Sequence, residues 1–163
     1  MPTVSKSSFT RPGNTTAYTS GDLVADNTVA ASVTPLIWTT SKVVGQGTIM
    51  RVRFYKSDPT ATNANFTVHI FSAAPGTPSN GDNGAIGIAS ALYHIASVAC
   101  DLTTGGFPAT AGLSKQFTVT NGITFDQTNT AAGERRLWGL IEAKAAYSPA
   151  DSEVFEVGLE IVN

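Results

Sequence analysis

Residues 48–56 read TIMRVRFYK, and Met50, Val52 and Phe54 alternate there with Arg51, Arg53 and Tyr55. That period of two predicts a strand with one face in a core. Residues 66–71, FTVHIF, set Phe66, Val68 and Ile70 against Thr67, His69 and Phe71. Residues 154–162, VFEVGLEIV, set Phe155, Val157, Leu159 and Ile161 against Glu156, Gly158 and Glu160. ALYHIASVA (91–99), KQFTV (115–119) and RLWGLIEA (136–143) predict further strands, and Asn121-Gly122 reads as a hairpin turn after KQFTV. Helical periodicity is poor, because Gly or Pro interrupts most windows of about a dozen residues and the stretch 29–32 is too short. Long turn-rich connections cover 72–87, with Pro75, Pro78, Asn80-Gly81 and Asn83-Gly84, and 103–112, with Gly105, Gly106 and Pro108. Connections of that length in a compact domain usually carry contacts or function. Roughly six to eight strands with uneven loops predict an all-β fold: a two-sheet antiparallel β-sandwich of jelly-roll or related Greek-key type. Its single domain spans 23–163, behind a segment 1–22 that is either an extended arm or the first strand.

Composition sharpens this picture. The 163 residues are enough for one core, and charged residues make up only 13% against 42% hydrophobic. The surface is therefore largely uncharged and polar, which suits contact with other protein, where dense charge would be costly to desolvate. A net charge of −2 and a pI near 5.6 argue against nucleic acid as a partner. Arg51 and Arg53 share a strand face and read as solvated or paired across strands, and Arg135-Arg136 is the only other basic pair. The single cysteine, Cys100, excludes an intrachain disulfide and reads as a small buried residue. No apolar run approaches a membrane span, and MPTVSKSS lacks the charged-then-apolar layout of a leader, so the chain is expected to remain where it is made, without a membrane partner. The sequons at Asn14 and Asn65 are then chance matches.

His69 and His94 fall on separate strands with no Cys or carboxylate at ligand spacing, so no metal site is expected. There is no Gly-x-Ser-x-Gly and no phosphate-cradling glycine loop, so neither a catalytic nucleophile nor a nucleotide cofactor is expected. Asp101 and Glu142 are glycosidase candidates by default only, because sequence cannot show two acids facing each other. Gly81-Asp82-Asn83 reads as a turn rather than a calcium loop. Trp38, Trp138, Tyr55 and Tyr93 are the candidates for a sugar-stacking platform, with core packing the stronger reading for Trp138.

FTRPGNTTAYTSGDLVAD, residues 9–26, is the least ordinary stretch. Fixing the backbone of 9–22 costs on the order of 14 to 28 kcal/mol at ~1 to 2 per residue. Burial of Phe9 and Tyr18 returns only about 1.5 to 3 kcal/mol each, so strand hydrogen bonds or a neighbouring surface must supply the rest. Pro12-Gly13 fits the centre of a type II turn and Gly21-Asp22 a second bend, while Arg11 offers a forked donor and Asp22 an acceptor. The segment thus reads as a first strand with its loops or as an intermolecular arm.

Thr10, Arg11, Pro12, Asn14, Thr15, Thr16, Tyr18, Gly21 and Asp22 match a Thr-Arg-Pro-x-Asn-Thr-Thr-x-Tyr-x-x-Gly-Asp pattern. In this the chain resembles a group of small virion structural proteins of tailed bacteriophages, and LWGLIEAKAAYSPADSEVFEVGLEIV is similar to the closing segment of the same group. Gly13, Thr19 and Ser20 stand where alanines are expected. The resemblance implies a jelly-roll decoration, or cement, protein on the outer face of the capsid, made in the host cytoplasm, without enzymatic activity. Its implied partners are the major capsid protein and further copies of itself, as dimer or trimer. Phe9, Arg11, Pro12, Asn14, Tyr18 and Asp22 become the candidate capsid or intersubunit contacts, and changing Arg11 and Tyr18 should weaken capsid binding more than folding. A carbohydrate-binding sandwich and a tail or head-fibre component are the alternatives.

Overall fold

Alternating apolar residues, frequent β-branching and turn residues at the breaks leave strands as the only regular structure of any length. A computed structural model of the chain describes residues 2–40, 45–127 and 135–163. Its strands are β1 (Thr3–Thr10), β2 (Leu23–Val24), β3 (Leu36–Thr39), β4 (Gln46–Lys56), β5 (Asn65–Phe71), β6 (His94–Asp101), β7 (Phe107–Ala109), β8 (Gly112–Asp126), β9 (Arg136–Ala143) and β10 (Val154–Val162). A 3-10 turn at Ala30–Ser32 is the only helical element among the described residues.

The first sheet has the order β1-β10-β4-β8-β7 and the second β2-β9-β5-β6, with β3 also on β9. All pairings between these strands are antiparallel. With the short β2 and β7 set aside, eight strands remain in chain order. The first sheet then reads first, eighth, third, sixth, and the second reads second, seventh, fourth, fifth. That wrapped order is a jelly roll, the all-β sandwich expected from the pattern.

The core lies between the sheets. Phe66, Val68 and Ile70 of β5 face Val52 and Phe54 of β4 and Phe155, Val157, Leu159 and Ile161 of β10, all buried. Phe54 and Phe66 stack across the layers at 5.1 Å, and Phe155 meets Phe66 edge-on at 5.6 Å. Trp38 is fully buried, its indole N–H donating to the Val157 carbonyl at 2.8 Å. A smaller cluster of Leu23, Ala25, Phe71 and Leu140 is closed by Ile86 and Ile88, so the connection after β5 folds back onto the second sheet. Cys100 is buried, and Arg51 and Arg53 both pair with Glu160 of the neighbouring β10.

Four local expectations change. Met50 is looped out: pairing with β8 jumps from Ile49↔Ile123 to Arg51↔Thr118, and β10 skips the same residue. Ile49 therefore enters the core in its place while Met50 is exposed. Asn121 and Gly122 do adopt positive φ, 64° each, but inside β8, where they form the other side of that irregularity rather than a hairpin. The strand expected over 91–99 is β6 and begins only at His94, leaving Leu92 and Tyr93 exposed in the loop before it. Gly13 lacks the positive φ of a type II turn; the Asn14 N–H instead closes on the Pro12 carbonyl at 2.9 Å.

Candidate functional site

β1 pairs along its whole length with β10, from Thr3↔Ile161 to Thr10↔Val154, and delivers the chain to Arg11 beside the start of β10. The Arg11 N–H continues the ladder onto the Glu153 carbonyl at 3.0 Å. Its side chain turns inward and is 2% exposed as a residue. Nε donates to the Tyr18 hydroxyl at 2.9 Å and Nη2 to Asp82 Oδ2 at 2.9 Å, while the Tyr18 hydroxyl donates to Asp82 Oδ1 at 2.6 Å. The Ala25 N–H adds a third donor to Asp82 at 3.0 Å. Arg11 also grips Asn14 through both its carbonyl and its side-chain oxygen.

The other matched positions serve the same loop. Asn14 Oδ1 accepts from the Thr16 N–H, and Asp22 accepts from the Thr19 N–H at 2.6 Å and hydroxyl at 2.9 Å. Gly21 sits at φ 100°, a conformation that favours glycine, and its N–H reaches the Ala143 carbonyl at 2.8 Å at the end of β9. Phe9 is half-buried and stacks on Phe155 at 5.8 Å, and Pro12, directly after Arg11, is half-buried too. Arg11, Tyr18 and Asp22 are thus consumed inside the chain, and Thr15, Thr16 and Ala17 form the exposed crest of the loop.

A second buried cluster lies against the first. Lys56 Nζ donates to the Tyr147 hydroxyl at 2.8 Å and the Asp58 carbonyl at 2.6 Å, and approaches Glu153 Oε1 at 3.4 Å. The Tyr147 hydroxyl donates to the Glu153 carboxylate, 2.8 Å from either oxygen. Tyr18 and Tyr147 stack at 6.5 Å and join the two clusters. Burial disfavours charge on Arg11, but Tyr18 and Asp82 outweigh it and hold the guanidinium above its ordinary pKa. Burial, then Asp82, pushes the Tyr18 phenol up, and burial, then Glu153, does the same to Tyr147. Burial lowers Lys56 and raises Glu153, each opposed by the other's charge. The first cluster ties the β1–β2 connection to Asp82, and the second ties the end of β4 to the β9–β10 connection, so each fastens separate segments of the chain together.

Sequence reasoning missed Asp82, Lys56, Tyr147 and Glu153. Asp82 was visible only as part of a turn. Lys56 left a legible trace, since it continues the inward face of Val52 and Phe54, where a lysine needs a buried partner.

The aromatic candidates are not brought together. Trp38 is in the core, Trp138 packs in the small outer cluster, Tyr55 binds the Ala111 carbonyl, and Tyr93 is exposed. The default acids lie on strands either side of β5: Asp101 at the end of β6 accepts from Thr103 of the following turn, whereas Glu142 on β9 bonds His69 and Lys144. Lys144 and His69 hold Glu142 below the usual carboxylate range against its burial. Among the described residues no three His, Cys, Asp or Glu side chains gather to hold a metal ion, and no helix is long and apolar enough to cross a membrane.

No family model and no curated protein matches the chain. In a solved full particle of Israeli acute paralysis virus heated to 63 degree, one chain is similar to this one, with a TM-score of 0.36 and 10% identity over 99% of this chain and 69% of that chain. At that score the likeness carries no function across, and the jelly-roll assignment rests on the strand order.

Proposed function

We propose that this chain is a non-enzymatic structural protein of a phage virion, a decoration or cement subunit that binds the outer surface of the capsid. The observation that carries this reading is the fate of the Thr10–Asp22 pattern: its Arg, Asn, Tyr, Gly and Asp build one internal fastening of a jelly roll. What the chain shares with the phage proteins it resembles is then a device that sets the fold. The capsid contact falls elsewhere, on exposed apolar side chains outside the fastening. Leu92 is 79% exposed and Phe107 72%, each in or beside a long connection, and Tyr93 adjoins Leu92. A sparsely charged surface lowers the desolvation cost of such contacts, and repeated sites on a lattice multiply a modest affinity.

The test is cosedimentation of the purified chain with mature heads that lack it. Saturable binding that raises the temperature of head rupture, and that Leu92→Ser or Phe107→Ser weakens about tenfold or more without lowering the melting temperature, supports the proposal. Failure to bind heads of the phage encoding it ends the proposal. Binding unaffected by both substitutions moves the contact off these loops.

A further inference from the structure

The second sheet's outer face carries both histidines of the chain. His69 stands on β5 and His94 opens β6, and a shift in β6 pairing, from Ile70↔Ala96 to Phe71↔His94, brings the rings to 5.8 Å between centroids. His69 Nε2 lies 2.9 Å from Glu142 Oε2. An ionised carboxylate only accepts, so that nitrogen carries the proton and Nδ1 keeps its lone pair. His69 Nδ1 points at Ser97 Oγ at 2.9 Å, and His94 Nε2 points at the same oxygen at 2.9 Å. Two imidazole nitrogens therefore converge on one point: Ser97 Oγ gives its single proton to His69 Nδ1 and accepts from His94 Nε2–H, so His94 must move that proton to Nδ1 or solvent before Nε2 can ligate. A carboxylate fixes the tautomer of His69 from behind. A carboxylate behind a histidine is the arrangement that orients metal-binding imidazoles.

We propose that His69 Nδ1 and His94 Nε2 bind a divalent late transition-metal ion such as zinc or nickel, with Glu142 orienting His69 and water completing the coordination. Metal–nitrogen distances are about 2.0 to 2.1 Å, so each ring advances by less than about 1 Å as the Ser97 hydroxyl gives way. Access is open: His94 and Ser97 are exposed, and the His69 side chain is 20% exposed. Phe71 meets His94 edge-on at 5.3 Å and limits its tilt. Two protein nitrogens make an open, exchangeable site rather than a closed structural one, and imidazole donors favour zinc, nickel or copper over magnesium or calcium.

Isothermal titration of the full chain with zinc chloride, and separately with nickel chloride, in a non-chelating buffer tests this. One ion per chain is expected, with His69→Ala and His94→Ala each weakening binding at least tenfold and Glu142→Gln weakening it by about tenfold or more. Zinc should raise the melting temperature of the wild type but not of His94→Ala. His94 is at the surface, so His94→Gln decides the matter if His69→Ala unfolds after losing its contact with Glu142. Absence of binding at millimolar metal, or undiminished binding by His94→Ala and His94→Gln, overturns the site.

Discussion

Tyr18 accepts from Arg11 and donates to Asp82 through one hydroxyl, so Tyr18→Phe keeps the ring and strands a donor and an acceptor in the interior. The expected cost is about 1 to 3 kcal/mol, the penalty of buried groups left without partners, read as a lower urea midpoint at constant slope. Arg11→Met should cost more, about 3 to 5 kcal/mol, because it leaves the Asp82 carboxylate buried without its cation. Both losses are read on folding, the property that an arm docking only on another surface would leave nearly unchanged. Charge at the opposite end of β10 behaves differently. Arg53 first, then Arg51, hold the carboxyl of Glu160 below its ordinary pKa. The folded chain therefore binds fewer protons at this group than the unfolded chain. The stabilisation is complete above the unfolded value of about 4.3 and is lost as pH falls through the lower folded value. Glu160→Gln should flatten the acid limb of a stability-versus-pH curve and leave its shape near neutrality unchanged.

At the scale of the element, β9 holds a glycine where a side chain cannot fit. A Cβ on Gly139 would come within 2.2 Å of the Trp38 ring, which β3 lays across it through the pair Leu36↔Gly139. Gly139→Ala is expected to destabilise by about 1 to 3 kcal/mol through overpacking, with loss of the near-ultraviolet signal of Trp38. The irregularity in β4 and β8 shows how a strand pattern misleads over one residue. The alternation in TIMRVRFYK is genuine from Val52 onward, but Met50 is looped out relative to both neighbours, so the inward position passes to Ile49. Asn121 and Gly122 supply the positive φ that this needs. A local turn preference is legible in sequence; whether the turn reverses the chain or kinks it depends on what lies alongside.

For the whole molecule, the first strand and the last are neighbours, and β10 lies between β1 and β4. Pairing β1 with β10 closes a loop of nearly the full chain, so slow refolding, in the range of about milliseconds to seconds, is expected in stopped-flow experiments. Removing residues 1–10 would uncover one edge of β10, whose sequence VFEVGLEIV is apolar on its inward face. Such a chain should aggregate on refolding, measured by light scattering, because a long unpaired edge recruits other strands.

By itself the sequence determined the fold class, the inward faces of β5 and β10, the burial of Cys100 and the shared face of Arg51 and Arg53, since each follows from alternation or from the rarity of a residue type; their pairing with Glu160 came only from the structure. It also marked Thr10–Asp22 as unusual. Only the tertiary structure decided that Arg11 meets Asp82 and Lys56 meets Glu153, and that His69 and His94 share one point. Partners separated by tens of residues leave no periodic trace along a chain, and the wrapped order of the two sheets is what brings them within hydrogen-bonding distance.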